Sequence, residues 1–405
     1  MLKRLFFIDT ESAPRVFGLD VLRALAIIIV VDAHGSVAFK QYYQGSFFRA
    51  FIPDGVELFF VLSGFLIGGI LIKSYEKSAD WSFANIRNFW TRRWFRTLPN
   101  YYLILGAIVI ANLIALKLST GAFSSPLRNV LPPYFVFLQN FTHPTPGFFA
   151  ESWSLAIEEW AYLLLPTALW AFHRFLNGRL SKQQILFGLI LTFLVLANGI
   201  RLYRAIIIPK ELGEQEVRNI VLFRLDAIVY GVLGAYVKHY HAAFWKNRTV
   251  AKILFWLGLG IIAFLSLSAS IWSLTFYYNH GLLGNYAFYK HSFFTTFMGL
   301  SMVMILPLMD GIRTGRGWIA RAVTHISLIS YSMYLLNLSL IMNFIIDPIP
   351  TSSESIGWAK YALFWVLVIG ASTLLYKFYE RPMTDLRDRV SKKEPKLLNP
   401  ERVNG

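Results

Sequence analysis

The sequence contains no cysteine, which excludes disulfides and a thiol nucleophile. It is poor in charge: 15% of its residues are Asp, Glu, Lys or Arg, against 56% hydrophobic. Mean hydropathy is positive. A soluble protein of 405 residues is not built this way; the composition is that of a multi-span membrane protein. Acids are the scarcer charge, 23 against 39 Lys and Arg. The net charge of +16 would suit nucleic acid. However, the basic residues fall in short clusters between apolar runs, as the positive-inside rule predicts, so nucleic acid is not an expected partner. The chain also lacks HExxH, clustered His and Asp at ligand spacing, a glycine-rich phosphate loop and a GxSxG elbow. No metal site and no hydrolase signature is expected. MLKRLFF at the N-terminus is basic, but its apolar run stops at Asp9 and no small-residue cleavage site follows, so no cleavable signal peptide is expected.

What is present is a series of long apolar runs. A span needs about 20 mostly apolar residues. Ten stretches qualify, roughly 18–38, 54–72, 98–116, 152–172, 185–206, 220–237, 253–272, 290–309, 323–345 and 358–378. The expected fold is an all-α integral-membrane bundle of about ten transmembrane helices. The segment 130–141 is apolar but short and broken by Pro132 and Pro133, so it reads as re-entrant or as external loop. With both termini cytoplasmic, the cytoplasmic segments hold 27 of the 39 basic residues and the opposite segments 10. The connection 117–151 carries five prolines and is placed to cover an external opening. Residues 1–382 read as one transmembrane domain, and 383–405 as a charged cytoplasmic tail. No internal repeat is visible.

The first span, GLDVLRALAIIIVVDAH over Gly18–His34, carries ionisable groups at membrane depth, which default to functional hypotheses. Arg23 and His34 are eleven residues apart. At about 100° per residue they share one helix face, roughly 16 Å apart. Asp20 lies near that stripe and Asp32 on the opposite side. Arg23 falls toward the cytoplasm, His34 toward the outer half of the bilayer. A long substrate with an anionic head and a reactive tip fits along that face.

Three further stretches carry chemistry. Glu57 sits near the outer end of the second span, at the level of His34, where a carboxylate can orient an imidazole; a first-turn acid complementing the helix dipole is the plainer alternative. In NFWTRRWFRTLP, Arg92, Arg93 and Arg96 fall within an arc of about 100°, three guanidinium forks suited to phosphates. A positive-inside anchor is the alternative there. In SWSLAIEEWAYLLLP, Ser154, Glu158 and Tyr162 are spaced by four and line one face. Glu158 is therefore the expected buried acid, and Glu159 an interfacial one. Trp153 and Tyr162 also suit an aromatic belt. Arg224 and Asp226 are expected to pair with each other. Pro382 in Glu380-Arg381-Pro382 is expected to stop the last span. His143 and His280 belong to the outer side, within reach of an acceptor, while His239 and His241 read as a solvated face.

Taken in order, these stretches resemble the membrane acyltransferase-3 family, bacterial enzymes that O-acylate sugars of surface polysaccharides and related exported glycoconjugates. The matching pieces are Arg23 with His34, GVELFFVLSGFLI at 55–67, RRWFRTLP at 92–99 and SWSLAIEEWAYLLLP at 152–166. Weaker matches are RLDAIVYGVLGA at 224–235, ISYSMYLLNLSL at 329–340 and FYERP at 378–382. The chain departs from the family pattern in Glu57, where Asp is usual; in Asn337 and Ser339, where His and Pro are common; and in Asp32-Ala33, where an apolar pair is usual.

The resemblance implies a multi-pass protein of the bacterial cytoplasmic membrane. It implies an acyl-CoA donor, most simply acetyl-CoA, met from the cytoplasm, and a sugar or lipid-linked glycan acceptor on the outer side. Arg92, Arg93, Arg96 and Arg23 would hold coenzyme A phosphates. His34 would act as general base on a sugar hydroxyl, or be acylated itself. Glu57 or Glu158 would orient His34 or help bind the acceptor, with Trp153, Ser154 and Tyr162 on the substrate side. Whether transfer is completed within the bundle or handed to a separate extracytoplasmic transferase partner stays open. Two readings from other classes also stay open: a transporter of acyl groups or lipid-linked sugar, and an inactive scaffold.

Overall fold

The computed structural model describes residues 15–36, 54–120, 127–144, 147–207, 218–278 and 289–390. The architecture is all-helical. In chain order the helices are α1 (Phe17–Gly35), α2 (Gly55–Lys77), α3 (Phe83–Thr120), α4 (Ser152–Leu176) and α5 (Lys182–Ile207). They continue as α6 (Val221–Tyr240), α7 (Arg248–Tyr278), α8 (Thr295–Gly311), α9 (Gly317–Leu336) and α10 (Glu354–Leu375). Each of the ten expected spans falls on one of them. His280 and the tail beyond Val390 lie outside the described residues.

Among the described residues, seven helices are long and apolar enough to cross a membrane: α2, α3, α5, α7 and the runs 292–311, 317–346 and 354–386. The other three expected spans, α1, α4 and α6, are the ones broken by charge. They carry Asp20, Arg23 and Asp32; Glu158 and Glu159; and Arg224, Asp226 and Lys238. Polar groups at that depth persist where other helices, not lipid, surround them. Here α1 packs on α2, α8 and α9, and α6 packs on α2, α4, α5 and α8.

Helix α2 starts cleanly because Asp54 caps it, its carboxylate accepting from Val56 N at 2.9 Å. Helix α3 has 38 residues. At 1.5 Å each it is about 57 Å long, nearly twice the hydrocarbon thickness of about 30 Å. Its basic first turns therefore project beyond the apolar core. Residues 127–144 do not span: two short helices, Leu127–Val130 and Pro132–Phe135, pack Tyr134 and Phe137 onto α3, with Tyr101 donating to Tyr134 O at 2.8 Å.

The last span does not stop at Pro382. Its α-helix passes through a π turn, Tyr376–Glu380, into a further helix, Arg381–Val390. Pro382 sits in the first turn of that helix, where its missing N–H is not needed. Glu380 is buried, accepting from Asn100 at 2.9 Å and Ser332 at 2.6 Å, and so ties α3, α9 and the end of α10 together.

A very close contact joins α2 to α6. A Cβ added at Gly64 would lie 1.9 Å from Ile228 O, and one at Gly231 would lie 2.1 Å from Val61 O. The two backbones touch, and only glycine permits it. Gly64→Val is expected to lower stability by about 1–3 kcal/mol through overpacking. A melting curve in detergent that matches wild type would contradict this contact.

Candidate active site

The polar side chains of the interior gather at two levels along α1. At the first of them, α1, α2, α3, α4 and α9 surround a cavity of about 790 Å³, open space at its mouth included. Arg23, Arg93, Arg96, Ser154, Glu158 and Tyr331 are among its lining residues. Arg93 and Arg96 are three apart on α3 and share a face. Three guanidinium groups thus confront a single carboxylate, and Arg23, Arg93 and Arg96 act electrostatically on one another. A cavity so charged selects anions.

Each cation is held differently. Arg23 reaches Ser327 Oγ at 3.5 Å and Asp20 at 3.7 Å, both long. Asp20 is already engaged by Arg15 at 2.9 and 3.0 Å and by Ser327 at 2.8 Å. Arg23 is therefore placed without being neutralised by a close partner. Arg93 Nη2 donates to Tyr162 Oη at 2.8 Å, and Tyr162 in turn donates to Glu158 at 2.8 Å. Ser63 is the third partner of that phenol. Arg93 Nε is buried and has no acceptor. Arg96 is exposed into the cavity.

The sequence expectations need five corrections here. Arg92 does not line this cavity; adjacent residues on a helix point about 100° apart, and Arg93 takes the inward position. Glu158 is only partly buried and faces the cavity, whereas Glu159 is the buried acid, accepting from Thr97 Oγ1 at 2.8 Å. Tyr162 is fully buried and orders Arg93 and Glu158 from behind the lining. Glu57 does not reach for His34: it is 5% exposed and bonds the guanidinium of Arg224, with the second contact at 2.5 Å. The expected Arg224–Asp226 pair is thereby split, since residues two apart on a helix diverge. Asp226 pairs instead with Arg201 at 2.7 Å, both fully buried.

The second level lies at the far end of α1. His34 is partly exposed, and its Nδ1 meets Oδ1 of Asn337, the residue just after α9. Tyr334, one turn earlier, donates to Glu151 O at 2.8 Å and bonds Ser154 at 2.6 Å, joining this level to the cavity wall. The Glu151 carboxylate accepts from both the N–H and the hydroxyl of Ser339, the former at 3.0 Å. Proline at 339 would lack that N–H. Asp54 pairs with Arg218, which stacks over Trp153 at 4.9 Å. Trp153 is 8% exposed, with one face against Arg218 and its edge against Phe60, so it is no open stacking platform. His143 is exposed, and His239 and His241 lie exposed at the other end of α6.

Asn337, Tyr334 and Glu151 are the site residues sequence reasoning passed over. The signal was there in part: Asn337 and Ser339 depart together from the acyltransferase-3 pattern, and their contacts are next to each other in space.

Comparison with known proteins follows the same lines. The chain is 32% identical over 187 residues to peptidoglycan O-acetyltransferase OatA of Listeria monocytogenes, covering 44% of this chain and 28% of that protein. It is 30% identical over 200 residues to putative peptidoglycan O-acetyltransferase YrhL of Bacillus subtilis, covering 47% and 28%. It is also 30% identical over 162 residues to a putative O-acetyltransferase of Staphylococcus aureus, covering 38% and 24%. The matches thus span less than a third of the length of these relatives. No solved structure matches the chain. The family model described as acyltransferase domain matches residues 16–377, from the start of α1 into the π turn after α10. With nearly the whole bundle inside that match, the chain belongs to the acyltransferase-3 family, and its described helices are those of a multi-pass membrane protein.

Proposed function

We propose that this protein is an O-acetyltransferase of the bacterial cytoplasmic membrane. It takes an acetyl group from acetyl-CoA on the cytoplasmic side and delivers it to a hydroxyl of an exported glycan, peptidoglycan or a close relative of it. The observation that carries this reading is the cavity in which Arg23, Arg93 and Arg96 face one carboxylate, with His34 eleven residues along the same helix from Arg23. An anionic head bound at the arginines puts a thioester about 16 Å further along α1, at the imidazole. The guanidinium groups lining the cavity offer charge-assisted donors to phosphate oxygens.

The reaction then follows from the residues. His34 Nε2 removes the proton of the sugar hydroxyl as its oxygen bonds to the thioester carbonyl carbon. The C–S bond breaks, and the departing thiolate takes the proton back from His34. The products are an acetyl ester and coenzyme A. The acceptor class rests on the names of the relatives, which are peptidoglycan O-acetyltransferases.

Donor binding is tested in nanodiscs with labelled acetyl-CoA. Arg96→Ala is expected to raise the donor KM about tenfold or more, the loss of one charge-assisted contact of about 1.5–3 kcal/mol. The acceptor is tested by mass spectrometry of cell-surface glycan with and without the protein. An unchanged KM in Arg96→Ala and Arg93→Ala together would remove the donor from this cavity.

A further inference from the structure

Asn337 is the residue against His34, and its geometry decides which proton the imidazole carries. Its carboxamide nitrogen donates to Met333 O at 2.9 Å and to Tyr334 O at 2.7 Å, both carbonyls of the preceding turn. The group lying between two carbonyl oxygens must be the NH2, because an oxygen there would face two acceptors. Asn337 Oδ1 therefore turns toward α1, where it meets His34 Nδ1. That oxygen can only accept. His34 Nδ1 must be the donor, so the neutral ring has its lone pair on Nε2.

We propose that Asn337 is a positioning residue that locks His34 as the Nδ1–H tautomer and leaves Nε2 as the base. The proposal rests on the reading of His34 as general base and deepens it. A neutral amide does here what a carboxylate does in many catalytic histidine pairs: it fixes ring orientation and tautomer. Other charged groups near the ring do not compete for Nδ1. Asp54 is engaged by Arg218 and by Val56 N, and Asp32 accepts from Tyr361 at 2.5 Å. Asn337 is itself held rigidly. It is fully buried at the start of a π turn, Asn337–Ile346, and two residues on Ser339 is clasped by Glu151. Such a turn places a side chain off the regular helical register, a feature frequent at functional sites. The departure of this chain from His at 337 is then coherent, since asparagine supplies an acceptor without titrating.

The test reads the tautomer directly. The protein is labelled with nitrogen-15 histidine and reconstituted in bilayers. His34 is assigned among the eight histidines by the signal missing in His34→Asn. The expected spectrum has the proton on Nδ1 and a bare Nε2. A His34 that carries its proton on Nε2 in the wild-type protein overturns the proposal, and that measurement needs no variant of Asn337. Asn337→Leu, close in size and without an acceptor, is expected to lose the Nδ1–H signature. Its kcat is expected to fall about 10²- to 10⁴-fold, the range for loss of an orienting partner, at an unchanged donor KM. A folded Asn337→Leu with wild-type kcat also overturns it. The two ideas fail separately: an active His34→Ala removes the general base, whereas a wrong tautomer with an inactive His34→Ala removes only the role of Asn337.

Discussion

His34→Ala is expected to lower acetyl transfer by about 10²- to 10⁴-fold, the range that a positioned general base contributes. The loss should fall on kcat, with the donor KM unchanged, because the arginine cavity lies at the other end of α1. The measurement is single-turnover transfer from labelled acetyl-CoA, alongside O-acetyl content of the surface glycan and the amount of protein in the membrane. His34 is partly exposed, and among the described residues its side chain bonds only Asn337, so removing the ring should leave the bundle intact. If the variant accumulates normally and the glycan stays acetylated, His34 is not the base. A loss of transfer that tracks a loss of protein would instead mean that the ring is structural.

Glu57→Leu is expected to be strongly destabilising. The carboxylate is buried against Arg224, whose side chain is 2% exposed. Removing one member of such a pair leaves an uncompensated charge inside the bundle and costs about 3–5 kcal/mol. Arg224 has no ready substitute, since the nearest other acid on its own helix, Asp226, is bonded to Arg201. The double variant Glu57→Leu with Arg224→Met removes both charges and is expected to recover most of the melting temperature and membrane yield. A single variant as stable as wild type, or a double variant no better than the single, would show that the pair is not what holds α2 to α6. Glu57→Asp probes the same bond with a shorter arm. It should cost less than Glu57→Leu.

Much of this was legible in the residues. The helices follow from apolar runs of membrane length, and the cavity from charges that have no business in such runs: Arg23, Arg93 and Arg96 gather on α1 and α3, while Glu158, expected beside His34, faces these arginines instead. What failed was pairing. Glu57 with Arg224 and Asp226 with Arg201 are contacts between helices, and helix periodicity orders residues only within one helix. The spacing of Arg224 and Asp226 did carry a warning, since positions two apart diverge on a helix. Glu158 and Glu159 were separable by face, yet which face meets the cavity depends on where α3 sits, and Thr97 decides it by claiming Glu159. The contact between His34 and Asn337 joins residues 303 positions apart in sequence, and nothing local to either announces it.

The backbone contact at Gly64 and Gly231 has a mechanical consequence. Joined there and clamped by Glu57 and Arg224, α2 and α6 have no room to slide past one another. From that braced pair, α2 supplies Phe59, Ser63 and Leu66 to the cavity wall. One side of the cavity is thus set in place by a backbone contact well away from the charged residues that would face a ligand.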